Sequence, residues 1–355
     1  MRRVWWVLLI GLLMAVRAGA QERAQEPGEP EAVAQERAAQ PLDAPSGEEL
    51  SQDYAARHAL IISIDKYDDP GFPDLSYAVA DAQGMAKLLM SELGFPEENV
   101  RLLVNGQATR AEVNRALEGW ACDERRIGRD DLLVVFFAGH GETRPSRRGQ
   151  SQKGYLAPCD ARRQSGGEPD WGTLIPMSTL EEISELVPAK HALFILDCCF
   201  GGLAGERGAP PLAAGLTLRA RQVMTAGGAD QKVQDAGGGG HSIFTGAVLE
   251  GLRGKADANL DKVVTFGELY NYVGRAVESR TRPRQTPGQG TLPDHALGCV
   301  ALFPPGAKPV DLSVEERLKA LELTVEEKLA ELERLSDFVV VEQLENEIAS
   351  EGFGE

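Results

Sequence analysis

Two apolar runs in this sequence end in side chains capable of covalent chemistry. The first closes Phe136-Phe137-Ala138-Gly139-His140-Gly141-Glu142, and the second Leu196-Asp197-Cys198-Cys199-Phe200-Gly201-Gly202. A thiol is strongly nucleophilic only as the thiolate; a nearby imidazole favours that form and can then protonate a departing amine. Cys199 and His140 are therefore a candidate nucleophile and its general acid and base. Backbone N–H groups at Gly141 and at Cys199 are candidates for stabilising a tetrahedral oxyanion. Glycines on both sides of His140 and just beyond Cys199 permit tight turns and a close approach of substrate backbone.

Such a pair needs elements that deliver both residues to one edge. His58–Asp65 reads as a buried strand, Ala78–Leu93 as a helix, Val100–Val104 as a second strand, and Arg110–Cys122 as a helix with Thr109 as its N-cap. Asp131–Ala138 is a continuous apolar run, the pattern of a central parallel strand covered on both faces. Leu180–Val187 is helical, His191–Leu196 a buried strand and Gln222–Ala226 another strand-like run. Helices over Ile243–Leu252 and Phe266–Glu278, then a run over Leu297–Phe303, complete the series. This alternation predicts an α/β domain with a mostly parallel sheet. Sites in such sheets lie at the carboxyl ends of the strands. If the two reactive strands are neighbours, about 4.8 Å apart, thiol and imidazole can face one substrate.

Gly139-His140-Gly141 followed by Asp197-Cys198-Cys199-Phe200-Gly201-Gly202 resembles the caspase-like cysteine peptidases. The Asp-x-Cys form is similar to the metacaspase branch, including its bacterial members, and the Gln-Ala-Cys signature of animal caspases is absent. Supporting matches are Ala59–Asp65, Leu75–Ala82 with Asp81, Arg221–Gly227, Gly240–Thr245 and Gln285–Pro287, so the resemblance covers roughly residues 55–305. It implies a caspase-like (caspase-hemoglobinase) α/β fold, a mostly parallel six-stranded sheet flanked by helices, here followed by a C-terminal helical extension. It also implies His140 as catalytic histidine and Cys199 as nucleophile, with Cys198 at a variable, buried position. By the same matching, Asp81 and Asp197 line a specificity pocket for Arg or Lys, so cleavage is expected after basic residues of protein or peptide substrates. Physical chemistry agrees, because a desolvated guanidinium or ammonium is costly unless carboxylates pair it. The family pattern has Ser two residues before the histidine, where this sequence has Ala138; the pocket lacks that hydroxyl.

Other candidates read as structural. His241 follows Gly237–Gly240 and precedes a helix, the setting of a loop or cap, and His58, His191 and His295 each begin a strand. Cys122, Cys159 and Cys299 read as small core residues. Too few cysteines are present for a disulfide scaffold, and an odd total of five is compatible with one thiol kept free. The stretch Asp257–Glu268 places oxygen-bearing Asp257, Asn259, Asp261, Thr265 and Glu268 at calcium-loop positions between two helices, but Lys262 stands where a sharp turn calls for Gly. Two readings stand: an acidic turn, and a weak calcium site formed by Asp257, Asn259, Asp261 and Glu268. No cofactor is required for the thiol chemistry, and calcium is the one ion the pattern suggests. Arg144, Arg147, Arg148, Arg162 and Arg163 read as loop charge. Arg207, Arg219 and Arg221 follow the nucleophile and also read as solvated loop charge; the sharper reading is that a basic-specific peptidase processes itself between Gly202 and Arg221.

The chain of 355 residues carries 37 Lys and Arg against 54 Asp and Glu, a formal net charge of -17. Residues 1–20 hold +3, residues 21–50 hold -6 and residues 310–355 hold -10, leaving -4 for residues 51–309. This balance excludes nonspecific nucleic-acid or anionic-membrane binding, which needs cationic surface. Met1-Arg2-Arg3, the apolar run Val4–Val16 and the small residues Ala18-Gly19-Ala20 read as an export signal with cleavage after Ala20. The run is short for a bilayer span, which needs about 20 residues, and an uncleaved anchor is the alternative. The expectation is a periplasmic or secreted protein with no membrane span after signal removal. Residues 21–54 read as an acidic disordered linker and 306–355 as an acidic helical extension. Two functions remain open: a cysteine endopeptidase acting after Arg or Lys, and a caspase-fold interaction module with little or no turnover.

Overall fold

Leu132-Leu-Val-Val-Phe-Phe-Ala138 has no polar side chain to turn toward water, so both faces must be covered, and all seven residues are buried. The computed structural model describes residues 54–145, 152–199, 217–227, 239–281 and 285–303, with the backbone alone at Cys199. The expected signal at 1–20, all but the last residue of the linker 21–54, and the extension 306–355 lie outside the described residues. So do Arg147, Arg148, Arg207 and most of the interval between Gly202 and Arg221.

In chain order the elements that position the site are β1 (Arg57–Ser63), α1 (Ala78–Ser91), β2 (Val100–Val104), α2 (Arg110–Asn114), β3 (Leu132–Ala138), β4 (Gly141–Pro145), β5 (Gln152–Leu156) and β6 (Ile175–Pro176). They continue with α3 (Met177–Leu186), β7 (His191–Cys199), β8 (Ala220–Gly227), α4 (Ile243–Glu250), β9 (Val264–Thr265), α5 (Phe266–Arg280), β10 (Gly288–Thr291) and β11 (Ala301–Leu302). Six strands form one sheet in the order β2-β1-β3-β7-β8-β10. The first five run parallel, and β10 pairs antiparallel with β8.

Alternation divides the core. Ala59, Ile61, Val134, Phe136, Leu193 and Ile195 face α1, α4 and α5, while Leu60, Ile62, Val135, Phe137, Phe194 and Leu196 face α2 and α3. Burial on both faces explains why these strands read as continuous apolar runs. The expected cap on α2 is present: Thr109 Oγ1 accepts from the Glu112 N–H at 3.3 Å.

Three features depart from the sequence reading. The sixth strand of the sheet is β10, whose Gly-Gln-Gly-Thr has no apolar run to betray it. Of Leu297–Phe303 only Ala301–Leu302 is a strand, and it pairs with β9 outside the main sheet. A separate antiparallel sheet of β4, β5 and β6 follows His140. His58 and His191 do lie on strands, but His295 stands just past a turn, outside any strand, its Nδ1 accepting from the Arg221 N–H at 3.1 Å.

Arg221 is likewise not loop charge. It is fully buried in β8, donating from Nε to the Ser184 carbonyl, from Nη2 to those of Val187 and to Asp294, and from Nη1 to Lys190 and Ala220. Burial lowers its pKa to about 10, with Asp294 opposing the shift. This arginine ties the α3–β7 connection to β8, so in the folded chain it is inaccessible as a cleavage site. Arg221→Met removes the donors to the Ser184 and Val187 carbonyls, while Asp294 keeps Arg219 and the Lys190 carbonyl keeps the Ala220 N–H, and should destabilise the fold by about 3 kcal/mol. A urea titration should show a lower midpoint with an unchanged slope.

Candidate active site

The strand register delivers the two reactive residues to one level. Ala138 of β3 stands opposite Asp197 of β7. His140 and Cys199 each follow two residues later, so both leave adjacent strands at the same carboxyl edge. Between Leu196 and Cys199 the β7–β8 register slips by one residue, Cys199 pairing with Gly227. Such bulges re-aim residues beside sites.

His140 is held from three sides. Its Nε2 lies 2.7 Å from the Pro73 carbonyl oxygen, an acceptor only, so the Nε2–H donates and Nδ1 is the nitrogen able to take up and release a proton. Its backbone N–H donates to Tyr67 Oη at 2.8 Å. The rings of Tyr67 and Phe72 lie tilted against the imidazole, at centroid distances of 4.9 and 6.0 Å. Burial pushes the Tyr67 phenol well above its ordinary range, so it remains a neutral hydroxyl. Gly139 is required here: a Cβ would come 2.8 Å from Tyr67 Oη and 3.1 Å from the Phe137 ring.

The segment that bears Tyr67, Phe72 and Pro73 is clamped by Arg163. Its guanidinium lies over the Phe72 ring at 4.4 Å, its Nε donates to the Gly71 carbonyl at 2.8 Å, and its Nη2 pairs with Glu142. Its backbone N–H donates to Asp69 Oδ2 at 2.8 Å, a bond that, with the Gly71 N–H, lowers the Asp69 pKa. Arg163, expected to be solvated loop charge, instead fixes the loop whose carbonyl orients His140.

Gly141 opens β4 opposite Leu156, next to the bond from the Ala157 N–H to the His140 carbonyl. The alternation of an antiparallel ladder turns the Gly141 N–H away from β5. Its position beside His140 suits an oxyanion donor.

Asp81 and Asp197, 161 and 45 residues from Ser242, converge on it. Asp81, in the first turn of α1, is 1% exposed, and Asp197 is 5% exposed. The Ser242 N–H donates to Asp81 Oδ1 at 3.1 Å. Ser242 Oγ and, at 2.6 Å, Thr245 Oγ1 donate to Asp197 Oδ2. Ser242 is also the N-cap of α4, accepting from the Thr245 N–H, so the helix's positive end faces Asp197. Two carboxylates are thus gathered in one buried place with neutral donors around them. A cation entering there would meet both.

Sequence reasoning missed several members of this arrangement. His241 is more than a loop residue: its Nδ1 lies 2.9 Å from Asp81 Oδ1, and a Cβ at Gly84 would come within 2.6 Å of its ring. Burial, with Arg253 nearby, lowers its pKa. Ser242 and Thr245 carry the ordinary signal of a helix cap, which says nothing about Asp197. Tyr67 and Pro73 carry no local signal at all.

The proposed calcium residues make hydrogen bonds within their own loop. Asp257 accepts from the N–H groups of Asp261 and Lys262, and Asn259 and Asp261 accept from those of Asp261 and Val263. Glu268 closes a capping box on Thr265 and also accepts from the Ala258 N–H within the loop. Lys262 adopts a φ of 67°, the left-handed conformation that would have favoured Gly. Among the described residues no three acidic, His or Cys groups gather as a metal site. Cys159, Cys198 and Cys299 are buried and Cys122 half-buried, all four as free thiols. Burial pushes Cys122 and Cys159 to about 11, far from thiolate reactivity. Among the described residues no helix is long and apolar enough to cross a membrane.

The family profile of the caspase domain matches residues 56–292. The chain belongs to the caspase-domain family. Within this caspase-domain protein, 185 residues are 28% identical to Metacaspase-1A of Aspergillus oryzae, covering 47% of the chain and 42% of that relative. Another 28% match, over 144 residues, is to Metacaspase-4 of Arabidopsis thaliana, covering 38% of the chain and 31% of the relative. The chain thus spans less than half the length of the curated relatives it matches. Among solved structures, caspase-1 from Spodoptera frugiperda is 18% identical with a TM-score of 0.48, over 74% of this chain and 94% of the other.

Proposed function

We propose that this caspase-domain protein is a cysteine endopeptidase that hydrolyses protein substrates after Arg or Lys. The observation that carries the proposal is the buried pair Asp81 and Asp197, joined through Ser242 beside the strand end that bears Cys199. A buried cation must be paired to be tolerated, and a basic side chain of a substrate is the cation that makes use of such a pair. In the proposed reaction the Cys199 thiol gives its proton to His140 Nδ1, and the sulfur attacks the scissile carbonyl carbon. The oxyanion that forms accepts from the N–H groups of Gly141 and Cys199. His140 returns the proton to the departing amine, and the acyl-enzyme is then hydrolysed by water activated by the same imidazole. The bond from Nε2–H to the Pro73 carbonyl keeps Nδ1 directed to these transfers.

Peptides ending in Arg, Lys or Asp before a reporter group test the proposal, with calcium added and with a chelator. Release from the Arg and Lys peptides that vanishes in Cys199→Ala is the expected result. Release from none of them would leave the chain a caspase-fold binding module. Activity lost with the chelator and regained with calcium would assign the ion a role; activity unchanged by both would leave Asp257–Glu268 an acidic turn.

A further inference from the structure

Ser63, the last residue of β1, is 0% exposed, and its hydroxyl has no hydrogen-bond partner among the described residues. A buried orphan hydroxyl is costly and calls for an explanation. Its place supplies one. Ser63 stands directly opposite Ala138 on β3, and Ala138 directly opposite Asp197 on β7. In each strand the residues two and four positions earlier, such as Ile61 and Ala59, Phe136 and Val134, Ile195 and Leu193, belong to the core on the α1 face. Alternation therefore puts Ser63, Ala138 and Asp197 on that face in one row across the carboxyl ends. The first turn of α1, which carries Asp81, packs on this same face through Ala78 and Ala82. Between the Ser63 hydroxyl and the Asp197 carboxylate the row presents only the methyl of Ala138.

We propose that Ser63 is a specificity-determining residue that selects Arg over Lys. The inference rests on the reading of Asp81 and Asp197 as the basic-residue pocket. Ser63 and Asp197 are two strand spacings apart, about 9.6 Å along the sheet. A planar guanidinium, with donors on both edges, bridges such a gap, one edge on the carboxylate and the other on the hydroxyl. An ammonium is a compact point charge; drawn to the carboxylates, it leaves Ser63 without a partner. The orphan hydroxyl thus receives its hydrogen bond only when an arginine side chain is bound.

The test compares full-length wild type with Ser63→Ala on peptides differing only in Arg or Lys before the scissile bond. Hydrogen bonds to charged groups set the expected loss at about tenfold or more in kcat/KM for the Arg peptide, with the Lys peptide within about twofold. Tm should be unchanged or higher, because the substitution removes an unpartnered polar group. Adding Ala138→Ser to Ser63→Ala should restore part of the preference by returning a hydroxyl to the row. A parallel fall on both peptides, or an unaltered Arg-to-Lys ratio, overturns the proposal. Thermal shifts with butylguanidine and butylamine read the pocket without turnover. Butylguanidine should stabilise wild type more than Ser63→Ala, and butylamine both equally. If neither peptide is cleaved but this difference holds, the peptidase reading fails and the role of Ser63 stands; equal shifts by butylguanidine sink the role of Ser63.

Discussion

Replacing Cys199 by Ala should abolish hydrolysis after Arg, and His140→Ala should lower kcat/KM by about 10⁴-fold or more. Residues that act as one catalytic unit lose nearly everything when any one is removed, so the double variant should be no slower than Cys199→Ala alone. The magnitude follows from the division of labour. Without the thiol there is no acyl-enzyme, and without the imidazole no group holds the proton between attack and departure of the amine. The His140 arrangement adds a second measurement. With Nε2 donating to Pro73, only Nδ1 is available to promote the thiolate. In His140→Ala the pH profile of Cys199 alkylation by iodoacetamide should therefore move up, toward the ordinary thiol value of about 8.5. The thiols of Cys122 and Cys159, pushed to about 11, should contribute little to the labelling. An unmoved alkylation profile would remove His140 from the role of base.

Neutralising the pocket should be the next most damaging change. Asp197→Asn and Asp81→Asn should each lower kcat/KM for Arg and Lys peptides by about 10²-fold or more, since a desolvated cation deprived of its partner costs about 3–5 kcal/mol. The informative readout is the comparison with citrulline, a neutral side chain of nearly the same shape as Arg. Wild type should prefer Arg strongly, and in Asp197→Asn that preference should collapse because the Arg rate falls while the citrulline rate holds. The fold should tolerate the change. An Asn carbonyl can still accept from Ser242 Oγ or Thr245 Oγ1, and the cap from Ser242 to the Thr245 N–H does not involve Asp197. Equal losses on Arg and citrulline would reassign the carboxylates to structure.

Much of the scaffold was legible because its causes are local. The runs at Ala59–Ile64, Leu132–Ala138 and His191–Leu196 are buried on both faces, and burial on both faces writes itself as uninterrupted apolar sequence. Helix caps at Thr109 and Thr265 sit where the residue types place them. β10 escaped notice because Gly288-Gln-Gly-Thr291, an edge strand, carries none of this patterning. The calcium-like spacing at Asp257–Glu268 supports two readings for a related reason. Acidic residues at loop positions serve turns and caps as readily as ions, and only the bonds they make tell these apart.

The sequence by itself determined the order of the five parallel strands and their helices and put His140 and Cys199 at the ends of two apolar runs, since hydrophobic period and turn chemistry act over a few residues. Tertiary structure alone decided what surrounds them. Pro73 reaches His140 across 67 positions, His241 reaches Asp81 across 160, and Ser63 meets Ala138 only through the strand register. Such contacts depend on where the sheet and its loops close in space, and each partner's type is compatible with many other environments. That is why Arg221 and Arg163 read as loop charge, and why the hydroxyl of Ser63 had no meaning until the row Ser63, Ala138 and Asp197 was in place.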